Sequence, residues 1–223
     1  MKVSVIVATS GRPEMFRNML RSLSDTTQGQ EVETIVVIDS DLEACIAAME
    51  SRCRVNYSRY MRGALCCWNK GLSMSNGDII VPAGDDQIFH EGWLEYALES
   101  HREKLGGYGV VGMNDLAYDG NTQLATMLLF DRKYCKEVMG GVIAPPVYNY
   151  YCVDSEWNAK AKALGKFYWD ERSVVEHLHP AHGKREPDQH DQLKVDNNWM
   201  EIDNKIFEER KALGFPVTWE SMI

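Results

Sequence analysis

The chain has 223 residues, of which 44% are hydrophobic and 26% charged, with a formal net charge of -9 at pH 7. That is enough chain for one domain with a sizeable core, and the composition is neither that of a disordered protein nor that of a repeat array. The negative balance argues against general nucleic-acid binding, because such proteins draw most of their affinity from basic surfaces that neutralise phosphate.

Residues 3–8 are a short β-branched run leading into Thr9-Ser10-Gly11-Arg12-Pro13. The run reads as a buried strand followed by a loop. It is too short for a secretory leader, is interrupted by Ser4, and lacks a small-residue cleavage site. Pro13 at the first helical position and Glu14 in the first turn open a helix. Its apolar face is Met15, Met19, Leu20 and Leu23. Residues 33–38 form a second buried strand ending at Asp39-Ser40-Asp41. Residues 42–50 read as a helix, 55–57 as a short strand, and 63–75 as a helix with Leu65, Trp68, Asn69 and Leu72 along one side. Gly77-Asp78 is a turn, and residues 79–82 are a strand that runs straight into Gly84-Asp85-Asp86. Residues 92–105 are helical.

This alternation of strand and helix predicts a mostly parallel sheet covered on both faces. Ligands on such sheets sit beyond the carboxyl ends of the strands. Thr9-Ser10, Asp39 and Asp85-Asp86 all fall at such ends, so three separate segments converge on one edge. The second half is less regular. Residues 109–113 and 126–130 are strand candidates, 140–146 a loop with glycine and proline breakers, and 154–164 a helix closed by Gly165. Residues 167–169 and 173–175 are extended and lead to Glu176-His177-Leu178-His179-Pro180. Trp199, Ile202, Ile206, Phe207 and Leu213 mark a final amphipathic helix. No linker divides the chain. The expected organisation is one α/β domain over residues 1–183, with a helical extension at 184–223 packed on it. The domain falls into a regular half at about 1–105 and a less regular half at about 106–183.

The six cysteines include no C-x-x-C pair, which predicts reduced thiols in a cytoplasmic protein. No run approaches the roughly 20 apolar residues that cross a bilayer, so no transmembrane segment is expected.

Two adjacent carboxylates in a loop repel each other unless a cation lies between them. Oxygen ligands suit Mg²⁺ or Mn²⁺, which share their shell readily with phosphate. An ordinary acidic turn is the other reading of Asp85-Asp86. His177, His179 and His182 form an H-x-H-x-x-H cluster that fits a zinc site, a loop of hydrogen-bonded histidines, or one histidine completing the Asp86 metal shell. Asp154, with Glu156 behind it, stands where a helix cap is expected. There is no G-x-x-x-x-G-K-[ST] phosphate loop, no G-x-G-x-x-G after a strand, and no G-x-S-x-G elbow. The commonest NTPase, dinucleotide and hydrolase readings fall with them.

Taken in order, these segments resemble family 2 glycosyltransferases of the GT-A fold. The resemblance runs from the strand at residues 3–9 with Arg12-Pro13, through Ile35-Val36-Val37-Ile38-Asp39, to Asn69-Lys70-Gly71-Leu72. It continues through Gly77-Asp78-Ile79-Ile80-Val81, Asp85-Asp86 and Gly92-Trp93-Leu94. Gly140-Gly141, Asp154 with Gly165, and His177 complete it. The resemblance implies an inverting, nucleotide-sugar-dependent glycosyltransferase, with uridine the commonest nucleoside. Thr9, Asp39 and Arg62 would hold the nucleoside, with Asp41 as a second acid, and Asp85 would touch the ribose. Asp86 would bind Mn²⁺ or Mg²⁺ on the diphosphate, with His177 or His179 as the late metal ligand. Asp154 would be the general base. A glycan, a lipid-linked sugar, a protein, a metabolite or a modified nucleobase are all open as acceptor. The competing readings are a nucleotidyltransferase that forms nucleotide sugars, for which the single glycine and arginine of Thr9-Ser10-Gly11-Arg12 are thin, and a non-catalytic nucleotide- or sugar-binding module.

Overall fold

The computed structural model describes residues 1–51, 53–60, 63–117 and 124–217. Its strands are β1 (Val3–Thr9), β2 (Val32–Asp39), β3 (Arg54–Ser58), β4 (Ile79–Gly84), β5 (Gln87–Phe89), β6 (Val110–Asn114), β7 (Met127–Asp131) and β8 (Phe167–His177). They form a single sheet in the order β3-β2-β1-β4-β7-β6-β8-β5. β3, β2, β1 and β4 are parallel neighbours. β7 runs antiparallel to both β4 and β6, β8 returns parallel to β6, and β5 closes the edge antiparallel to β8. This is the mostly parallel α/β sheet that the alternating pattern predicts. The helices are α1 (Pro13–Thr26), α2 (Leu42–Glu50), α3 (Ala64–Met74), α4 (Trp93–Leu105), α5 (Arg132–Val138), α6 (Val153–Ala163), α7 (Gln189–Asp196) and α8 (Trp199–Ala212).

Strand β1 shows why the layers form. Every residue of it is buried, and alternate side chains leave opposite faces of the pleat. Val3, Val5 and Val7 join Phe16, Met19, Leu20 and Leu23 of α1 and Trp93 and Leu94 of α4 in one core. Ile6 enters the other core, with Leu65 of α3, Phe130 of β7 and Trp157 of α6. Burying each of these large side chains contributes about 1.5–3 kcal/mol. Helix α3 comes unusually close to β1 because residue 71 is glycine: a Cβ there would lie 2.2 Å from Ile6 Cγ2. Two residues earlier, the Asn69 carboxamide accepts the N–H groups of Ile143 and Ala144 and donates to the Ala144 carbonyl. The Asn-Lys-Gly-Leu segment is thus a packing and clamping device.

The second half differs from expectation in instructive ways. The two extended segments at 167–169 and 173–175 are one strand. It bulges, so that Met113 pairs with Asp170 and Asn114 with Val174. The bulge is held by the Ser173 hydroxyl, which donates to the Trp93 carbonyl at 2.7 Å, and it redirects the strand end towards β5. Helix α6 begins at Val153 with Cys152 at the N-cap in the left-handed region, φ 65°. Asp154 is therefore not the cap; it lies in the first turn and accepts the Ser155 N–H.

Helix α8 is where an apolar face was expected, but Ile202 and Leu213 are exposed, and the fully buried residues are Asp203 and Arg210. Docking is polar because the surface beneath offers unpaired groups. Asp203 accepts the backbone N–H groups of Asn149, Tyr150 and Tyr151 and the Asn149 amide. Arg210 donates to both oxygens of Glu156, each at 2.7 Å. Ile206 and Phe207 supply the apolar part of the contact. Among the described residues no helix is long and apolar enough to cross a membrane.

Candidate active site

A cavity of about 690 Å³ opens beyond the carboxyl ends of β1, β2 and β4. Thr9, Asp39, Asp85, Asp86, Asp154, His177 and His179 all line it, with Arg12, Asp115, Tyr150, His190, Lys194 and Trp199. Seven of the residues singled out in the sequence therefore share one crevice. Arg62 lies outside the described residues.

The loop after β1 is bracketed by Asp85. Its Oδ2 accepts the Thr9 hydroxyl at 2.9 Å and the Ser10 N–H at 3.3 Å. Ser10 in turn donates to the Asp39 carbonyl at 2.6 Å, and the Asp39 carboxylate accepts the N–H of Gly63, the N-cap of α3, at 2.8 Å. Asp41 takes a different part: it caps α2 through the Ala44 N–H and accepts the Gly11 N–H.

His177 reaches Asp86 through strand pairing. It stands opposite Gln87 in the β5–β8 ladder, and the Leu178 N–H donates to the Asp86 carbonyl at 2.8 Å. Its Nε2 lies 3.5 Å from Asp86 Oδ1. The other oxygen, Oδ2, faces Arg12 Nη1 at 3.2 Å, and the same nitrogen lies 3.2 Å from Asp85 Oδ1. Burial and the neighbouring Asp86 push the Asp85 carboxyl up. At Asp86 burial acts the same way, but His177 and Arg12 outweigh it and hold the carboxyl low.

His179 is arranged differently. Its Nδ1 accepts the Ala181 N–H at 3.2 Å, capping a single 3₁₀ turn at Pro180–His182. Burial, with His177 and Lys194 nearby, pushes its imidazole down to about 4. Among the described residues no group of three or more His, Cys, Asp or Glu side chains is placed to hold an ion by itself, so the histidine trio does not form a closed zinc site.

Asp154 is partly exposed on the crevice wall, and desolvation there raises its carboxyl above the ordinary range, partly offset by the Ser155 N–H and by His177. Glu156, its neighbour on the helix, is committed elsewhere: Arg210, Lys160 and the Tyr148 hydroxyl occupy its carboxylate.

Sequence reasoning passed over the charged cover of the crevice. Arg12 Nε donates to Asp188 Oδ2 at 2.6 Å, joining the aspartate pair to the N-cap of α7. Asp188 and Asp191 form a reciprocal capping box. The D-x-x-D spacing was the available signal, but with no apolar periodicity behind it nothing marked a helix.

Fold and crevice together define a glycosyltransferase domain of the GT-A type. The chain belongs to glycosyl transferase family 2, whose sequence profile matches residues 4–189. No curated protein matches it significantly in sequence. Among solved structures it is similar to the mannosyltransferase PcManGT from Pyrobaculum calidifontis in complex with GDP-Man and Mn²⁺, with TM-score 0.66 and 16% identity over 79% of this chain and 56% of that one. It is also similar to S. aureus TarS 1-349 in complex with UDP, with TM-score 0.62 and 16% identity over 78% of this chain and 59% of that one. A third is glucosyl-3-phosphoglycerate synthase from Mycobacterium tuberculosis in complex with Mg²⁺ and uridine-diphosphate, with TM-score 0.59 and 16% identity over 80% of this chain and 72% of that one. At this identity the likeness speaks to the fold. The chain spans little more than half the length of the first two.

Proposed function

We propose that the chain transfers a sugar, with inversion, from a nucleotide sugar to an acceptor hydroxyl, with UDP as the nucleotide and Asp154 as the general base. The observation that carries this is the convergence of Asp86, His177 and Asp154 on the one cavity that Thr9, Asp39 and Asp85 also line. Thr9, Asp39, Asp85 and Arg62 would hold the nucleoside. All six cysteines are free thiols, the state expected in the cytoplasm, where we place the reaction.

The residues present fit Mn²⁺ or Mg²⁺. An octahedral ion with ligands at about 2.0–2.1 Å places adjacent donors about 3 Å apart, and Asp86 Oδ1 and His177 Nε2 face each other at 3.5 Å. Two protein donors leave the remaining positions to phosphate and water, as these ions prefer. A bound ion would stabilise the charge that develops on the departing diphosphate. Asp86 and His177 would hold it, and Arg12 keeps Asp86 ionised. Asp154 would take the proton from the acceptor hydroxyl. Its desolvation raises its proton affinity, which suits a base working near neutral pH. A single in-line displacement then inverts the anomeric carbon.

Asp154→Asn tests the base. Asn keeps the shape of the side chain and cannot accept the proton. Release of UDP from a panel of UDP-sugars with Mn²⁺ and mixed acceptors should fall by about 10²–10⁴-fold. UDP affinity and melting temperature should stay near wild type. Release within a few-fold of wild type would remove Asp154 from this role. Pyrophosphate released from UTP and a sugar phosphate would instead make the protein a nucleotidyltransferase.

A further inference from the structure

Lys194 is a buried lysine, 7% exposed, on a helix that is otherwise solvated. Its ammonium lies 3.2 Å from Asp191 Oδ1 and 3.8 Å from the centroid of the Tyr150 ring. Tyr150 and Lys194 both line the crevice. A lone lysine in an apolar wall would be costly to bury, and one carboxylate with an aromatic face compensates only part of its lost hydration. The ammonium thus belongs to the same crevice as the Asp86–His177 pair.

The position is fixed at the N-terminal turn of α7. Arg12 grips Asp188 at its N-cap while holding Asp85 and Asp86 with its other nitrogen. Arg185 Nη1 donates to Asp191 Oδ2 at 2.6 Å, so that Asp191 is already neutralised by a second cation. Asp191 would thus keep a cationic partner if Lys194 turned to another anion. A nucleoside diphosphate entering the crevice brings several negative charges into a wall that is otherwise rich in aspartate.

We propose that Lys194 is a ligand of the donor diphosphate, held against Asp191 and Tyr150 on the crevice wall until the donor binds. This rests on the reading of the crevice as a nucleotide-sugar site. Binding exchanges one anion for another at the ammonium, with Asp191 left to Arg185. The cation then neutralises diphosphate charge both in the bound donor and as the sugar departs.

The test is calorimetric titration of the full chain with UDP, GDP and UMP, each in Mn²⁺, on wild type, Lys194→Gln and Lys194→Arg. Wild type should bind a nucleoside diphosphate. Lys194→Gln should weaken that diphosphate at least about tenfold while weakening UMP by less than threefold, and Lys194→Arg should recover most of the loss. Melting temperatures of the three proteins control for a disturbed α7, and the difference between diphosphate and monophosphate is a readout that a merely structural lysine would not move. Equal loss for UDP and UMP, or unchanged diphosphate affinity in Lys194→Gln, would overturn the assignment of Lys194 and leave the site standing. A wild-type protein that binds neither UDP nor GDP would overturn both.

Discussion

Single carboxylates in this molecule have distinct work according to which oxygens are engaged. Asp86 offers one oxygen to His177 and the other to Arg12, whereas Asp85 spends both on Thr9, Ser10 and Arg12. Glu33, at the opposite ends of the strands, is wholly structural. Its carboxylate accepts the Ser4 hydroxyl and the Asn76 N–H, each at 2.6 Å, and pairs with Lys2 at 2.8 Å. Burial opposes ionisation there, but the Lys2, Ser4 and Asn76 contacts outweigh it and hold the carboxyl at about 2 rather than 4.5. The folded chain thus binds this proton more weakly than the unfolded chain. Glu33 adds stability above about pH 4.5, and that contribution is lost as pH falls from there towards 2. Glu33→Gln should therefore unfold more easily than wild type in urea at pH 7, and the gap should close as pH is lowered through that window. UDP affinity should not change. A gap independent of pH would show that the carboxylate charge contributes nothing.

At the scale of elements, the loop that carries Tyr150 and Tyr151 into the crevice is held from behind by α8. Asp203 receives three backbone N–H groups and the Asn149 amide. Removing a buried acceptor leaves its donors unsatisfied at about 1–3 kcal/mol each, less where water reaches them. Asp203→Ala should lower the unfolding free energy on the order of 2–3 kcal/mol in urea titration. Because Lys194 rests on Tyr150, it should weaken UDP binding as well. A loss below about 0.5 kcal/mol, in the range of ordinary surface substitutions, would contradict this account of α8. Element identity in the first half was legible because β-branched runs end in polar residues and the helices carry apolar stripes. Helix α8 was legible as a helix, but its docking was not, since Asp203 and Arg210 look solvent-facing by composition. Helix α7 and the three-residue β5 were invisible for want of periodicity. The bulge in β8 could not be read either, yet it is what turns His177 towards Asp86.

Across the whole molecule, the crevice draws residues from both halves of the sheet and from the C-terminal helices. Thr9, Asp39, Asp85 and Asp86 were readable as a set because parallel sheets gather their carboxyl ends. Asp154 joined them through family resemblance, and its local setting was misread as a cap. Arg12 as the hub of the charge network emerged only in three dimensions, because its partners Asp188 and Asp191 are more than 170 residues away. The chain carries a net charge of -9, so the proposed anionic donor would approach an acidic protein, where a cation would favour its binding. The most direct measurement is calorimetric titration of UDP into wild type and Asp86→Ala, each with Mn²⁺ and again with EDTA. The account predicts that wild-type affinity falls at least about tenfold in EDTA, roughly 1.4 kcal/mol, and that Asp86→Ala binds weakly under both conditions. UDP binding that is indifferent to EDTA and unchanged in Asp86→Ala would contradict it.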